Sequence, residues 1–149
     1  MNTTNHDAGH DTPGQTRPID VDVTQTRTFT VTYTLPYDVH EAAYDILSIG
    51  AAYGIGYWAS EPHVRRLEAG ITYLSFVDDE GARTKAVTTG DIIESIWSII
   101  EHGYPGAHPD SEYGSLKNWL LREDFLGHLD PGLADAIIQH AVFGEAIYG

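Results

Sequence analysis

The sequence predicts an α+β fold, a small and mainly antiparallel sheet of about four strands packed with about four helices. Three observations carry that expectation. Residues 27–35 alternate apolar groups with threonine at the two-residue period of a strand. Residues 57–88 hold three further strand-like runs separated by turn-forming residues, the pattern of a meander. Apolar stripes at helical spacing then follow residues able to cap a helix.

Taken in order, residues 1–26 are rich in Thr, Asp, Asn, Gly and Pro and poor in large apolar groups, so they read as a flexible tail that cannot offset its ordering entropy. A single α+β domain is expected over 27–149. The first strand, Thr28 to Leu35, places Phe29, Val31, Tyr33 and Leu35 on one face and ends at Pro36. Asp38, with Glu41 three positions on, opens a helix whose stripe is Val39, Ala42, Ala43, Ile46, Leu47 and Ile49. Gly54-Ile55-Gly56-Tyr57-Trp58 follows, a sharp helix-to-strand turn in which glycine lets backbones approach beside two large rings.

Tyr57 to Leu67, Ile71 to Val77 and Thr84 to Thr88 are the remaining strands. The middle one carries apolar groups on both faces, which makes it central. Asp78-Asp79-Glu80-Gly81 is a turn. Thr88 and Asp91 open a second helix with Ile92, Ile93, Ile96, Trp97, Ile99 and Ile100 inward. Ser111 caps a third helix bearing Leu116, Trp119, Leu120 and Phe125, and Asp130 with Pro131 starts a fourth that runs through Val142. Apolar character persists to the last residues, which predicts a docked C-terminus.

Composition excludes several function classes. The chain has no cysteine, so disulfides, thiol catalysis and thiolate metal sites are absent, in keeping with a reducing cytoplasm. It has neither an apolar run long enough to span a bilayer nor an N-terminal signal core, so a soluble, cytoplasmic protein is expected. A net charge of -14 repels phosphates and anionic lipids, which argues against direct nucleic-acid or membrane binding. Residues 89–149 hold ten acids and two bases, so the negative charge concentrates on the helices.

No complete catalytic or metal motif accompanies this charge. Gly54-Ile55-Gly56 lacks the third glycine and the strand-turn-helix order of a dinucleotide fingerprint. His40, His63, His102, His108, His128 and His140 show no zinc spacing, and the echo His6-Asp7, His10-Asp11 falls in the predicted tail. Ser60, Glu61 and His63 are sequence neighbours without a nucleophile elbow. The expectation is therefore a protein that is not an enzyme and carries no cofactor or metal.

Gly54-Ile55-Gly56-Tyr57-Trp58-Ala59, together with Asp135-Ala136-Ile137-Ile138-Gln139 and the closing Phe143-Gly144-Glu145-Ala146-Ile147-Tyr148-Gly149, resembles small proteins of actinobacteria and their phages over about Asp38 to Gly149. The resemblance implies a phage or mobile-element origin and, by analogy, action on a host machine.

The leading expectation is an acidic inhibitor or modulator that binds a host defence or nucleic-acid-handling complex by protein–protein contact or nucleic-acid mimicry. Its contact residues would be Tyr57, Trp58, Trp119, Glu112, Glu123 and Asp124, presented by a monomer or a homo-oligomer. The competing expectation is a domain that binds or hydrolyses a nucleotide-like anion. It would use Arg65, Arg66, Arg83 and Lys85, with Tyr57 or Trp58 stacking on the base.

Overall fold

The computed structural model describes residues 14–23, 27–78 and 84–148. Among them, strands β1 (Thr16–Val23) and β2 (Arg27–Thr34) pair as one antiparallel sheet, and β3 (Ala59–Arg66), β4 (Thr72–Asp78) and β5 (Thr84–Thr88) as another. Five α-helices accompany them: α1 (Val39–Ile49), α2 (Thr89–His102), α3 (Leu116–Leu120), α4 (Phe125–His128) and α5 (Pro131–Phe143). The fold is α+β, with its strands divided between two sheets where one was expected.

The division follows from β1, which the composition assigns to a flexible tail and which instead pairs with β2 from Thr16 opposite Thr34 to Val23 opposite Arg27. Its order comes from contacts made elsewhere in the chain. Ile19 is buried, and the Arg17 guanidinium lies 5.1 Å over the Trp97 ring while pairing with Glu94 at 3.0 Å. Trp97 Nε1 in turn donates to Gln15 Oε1 at 3.2 Å. One buried isoleucine and a polar clamp onto α2 therefore hold a segment whose own apolar content is small.

In the second sheet β4 is central, as its two apolar faces predict. Leu74, Phe76 and Val87 turn inward against a layer in which α1, α2 and α5 pack on one another. Asp38 caps α1 by accepting from the His40 and Glu41 amides, and Thr88 with Asp91 forms a reciprocal capping box on α2. Asp130 accepts from the Leu133 amide ahead of Pro131 and starts α5, in which every residue from Leu133 to His140 is buried. The predicted third helix is broken into α3 and α4. Ser111 takes a different role, its Oγ accepting from Gly114 in the preceding turn.

Between α1 and β3 the chain makes a π-helical turn, Gly50–Gly54, and a single 3-10 turn, Ile55–Tyr57. Close approach to α5 explains two of the glycines. A Cβ on Gly54 would stand 2.9 Å from the Pro131 carbonyl oxygen, and one on Gly50 would collide with Ile138 Cδ1. Gly56 has open space, so it is not required for packing. Asp78-Asp79-Glu80-Gly81 and the two His-Asp pairs lie outside the described residues, apart from the Asp78 backbone at the end of β4. No described helix is long and apolar enough to cross a membrane.

Candidate functional site

Tyr57 and Trp58 do not alternate as strand residues, because they lie in the 3-10 turn and the residue after it. Trp58 is wholly buried, which corrects its expected role as a contact residue; Tyr57 is 57% exposed. Both bind the carboxylate of Asp135. Trp58 Nε1 donates to Oδ1 at 2.6 Å, and the Tyr57 hydroxyl donates to Oδ2 at 2.8 Å. Gln139, one turn further along α5, donates to the same Oδ2 at 2.9 Å. Burial raises the Asp135 pKa and outweighs these three donors, which favour the ionised form. Burial of the Tyr57 hydroxyl, and then its bond to Asp135, pushes that group above the ordinary tyrosine range.

A second buried polar link joins α2 to α5. Ser95 Oγ lies 2.7 Å from His140 Nδ1 and also reaches the Ile137 carbonyl at 3.3 Å. Burial lowers the His140 pKa, with nearby His102 acting in the same direction. Both links tie α5 to its neighbours, the first to the turn before β3 and the second to α2. Asp135, Gln139 and Ser95 were missed by sequence reasoning; the available signal was two hydrogen-bonding groups one turn apart, Asp135 and Gln139, in an otherwise apolar helix.

The exposed site is built on α3, α4 and the turn between them. Leu116 and Leu120 are fully buried at helical spacing, and Phe125 is buried 5.2 Å from the Tyr37 ring. Tyr37 also donates its hydroxyl to the Leu120 carbonyl at 2.7 Å, so both ends of the turn are anchored in the core. Arg122, Glu123 and Asp124 are thereby held at the surface, lining an open depression of about 600 Å³.

Arg122 grips Asp124 with two bonds, Nε to Oδ1 at 2.8 Å and Nη2 to Oδ2 at 2.7 Å. Those bonds hold the Asp124 carboxyl well below the usual range, at about 2. His128 Nε2 lies 3.0 Å from the same carboxylate, one turn along the chain. The Arg122 guanidinium sits 4.5 Å over Trp119, and the His128 ring packs against the same indole at 5.6 Å. The result is a half-buried indole, packed on the core from within, whose polar neighbours Arg122, Asp124 and His128 are joined to each other.

Three expected contact residues, Trp119, Glu123 and Asp124, thus fall in one place. Glu112 is exposed on the connection that precedes α3, and Tyr57 lies at the α5 node. The cations of the competing reading divide between the two faces of the sheet, Arg66, opposite Thr72, sharing the face of Lys85. Arg65 stands opposite Tyr73 and Lys85 opposite Phe76, and Tyr73 and Phe76 project from opposite faces of the sheet. Lys85 packs on the Phe143 ring at 4.8 Å, and Arg83 is outside the described residues. Ser60 and His63 are exposed on either side of a bulge in which Glu61 takes a φ of 53°. Among the described residues no group of three or more His, Asp or Glu side chains could hold a metal ion. Comparison with protein-family models, curated proteins and solved structures yields no match.

Proposed function

We propose that this protein is a non-catalytic acidic binding protein that modulates a macromolecular complex by protein–protein contact, with the Trp119 face at the centre of the contact. The observation that carries the reading is the cluster of Trp119, Arg122, Asp124 and His128 beside an open depression that Arg122, Glu123 and Asp124 line. A tryptophan and an arginine already fixed in place lose little conformational freedom on binding, and these residue types dominate contact energies. Exposed pairs such as Arg122 with Asp124 add little stability, so pre-organisation of the face is the more natural use of the arrangement.

The surrounding negative charge supplies steering toward a basic surface. Nucleic-acid-handling machines, including those of host defence, present such surfaces. The phage or mobile-element setting suggested by the resemblance belongs to the same proposal.

The test is affinity capture from the native host, followed by titration of the captured partner against variants whose folding is checked by circular dichroism. Trp119→Ala should weaken binding about tenfold or more, in line with a central aromatic contact. Changing Glu112, Glu123 and Asp124 together to lysine should weaken it further and flatten its dependence on salt. Equal affinity and equal salt slope for all variants would remove this face from the account.

A further inference from the structure

A groove of about 370 Å³ opens between the β1–β2 hairpin and helices α2 and α3. Its walls are largely apolar, with Ile19, Val21 and Tyr33 from one face of the hairpin and Ile100 from α2. Small-molecule sites have this size and this kind of wall, with a few polar groups that fix the ligand. Lys117 of α3 supplies one such group. It is half-buried at the groove, its ammonium 5.6 Å from the centre of the Tyr33 ring. Among the described residues no carboxylate lies within ion-pair distance of it, in a chain that has 22 acids and 8 bases.

The two acids at the groove do not take the place of that partner. The Asp20 carboxylate accepts from the Thr30 hydroxyl at 3.3 Å on the other face of the hairpin, so Asp20 meets the groove with its main chain. The Leu35 amide donates to the Gln15 carbonyl at 3.2 Å, which sets the phase of the ladder. Ile19 and Val21 therefore bond across to β2, and the Asp20 N–H turns to the open edge of a two-stranded sheet. Glu101 is exposed and lies 3.7 Å from His102 Nε2.

We propose that this groove binds a small monocarboxylate with an apolar body, a branched-chain or aryl-substituted acetic acid, its carboxylate on the Lys117 ammonium and the Asp20 N–H. The apolar walls select an organic anion over an inorganic one, and a single cation suits a single charge. Glu101 disfavours a second carboxylate on the same ligand. The groove shares no residue with the depression that Arg122, Glu123 and Asp124 line, so the inference does not depend on the Trp119 face.

The test is a titration of the isotope-labelled full chain with sodium phenylacetate and sodium isovalerate, followed by NMR. Saturable shifts should centre on the amides of Ile19, Asp20 and Val21 and on the Lys117 side chain. Phenylacetamide keeps the ring and loses the charge, whereas acetate keeps the charge and loses the body. Each should bind about tenfold more weakly than phenylacetate, or worse. Lys117→Met, its folding checked by circular dichroism, should weaken phenylacetate by a similar factor, and Lys117→Arg should keep most of the affinity. Binding of only one of the two acids supports the proposal and sets the size of the body. No saturable shift at the groove up to about 20 mM of either acid overturns it. Equal affinity for phenylacetamide, or unchanged binding by Lys117→Met, overturns it as well, because the groove would then be apolar without being an anion site.

Discussion

Asp135 ties the turn before β3 to α5, since its two oxygens accept from Trp58, Tyr57 and Gln139. Asn at this position keeps one acceptor but turns a donor toward the Tyr57 and Gln139 side, leaving buried groups badly paired. Asp135→Asn should therefore cost about 1–3 kcal/mol in urea unfolding. The pH dependence has a definite sign. Burial raises the folded pKa above the unfolded value of about 3.9, so the stability that Asp135 contributes is complete below that value and is lost as pH rises through the folded pKa. The deficit of Asp135→Ala, which removes the group without mimicking its protonated form, should then be largest in acid and narrow toward neutrality. A deficit that widens with pH would mean that the three donors outweigh burial.

At the scale of elements, the turn between α1 and β3 shows how backbone clearance decides which glycines matter. Gly54→Ala drives a Cβ into the Pro131 carbonyl, where helix α5 has no flexible end to give way, and should cost about 1–3 kcal/mol. Gly56→Ala meets nothing and should raise the thermal midpoint slightly, by narrowing the unfolded chain's freedom. Two equal losses would show that the turn is limited by chain flexibility and not by packing on α5. The same connection carries Tyr57 and Trp58 to α5, the 3-10 turn Ile55–Tyr57 and the residue after it holding the two rings against Asp135.

For the molecule as a whole, the dominant physical fact is a charge of -14 on 149 residues. Repulsion among these acids destabilises the compact state and is screened over about 10 Å at 0.1 M salt. Raising NaCl from about 20 mM to about 300 mM should therefore raise the thermal midpoint in a calorimetric scan. A midpoint that stays level or falls would mean that local pairs such as Arg17 with Glu94 and Arg122 with Asp124 outweigh the net field.

Local signals in the sequence were enough for the α+β class, the centrality of β4, the caps at Asp38, Thr88 and Asp130, and the apolar stripes of α1, α2 and α5. Each depends on periodicity or capping chemistry within a few residues, which a sequence displays directly. Other features were settled only by packing between distant parts of the chain. Strand β1 is held by Trp97 and Glu94 of α2, Trp58 lies in the core bonded to Asp135, and the half-buried Trp119 is flanked by Arg122 and His128. Contacts across 77 positions, such as that of Arg17 with Glu94 or of Trp58 with Asp135, leave no periodic trace in the sequence; only the folded chain shows which polar group meets which ring.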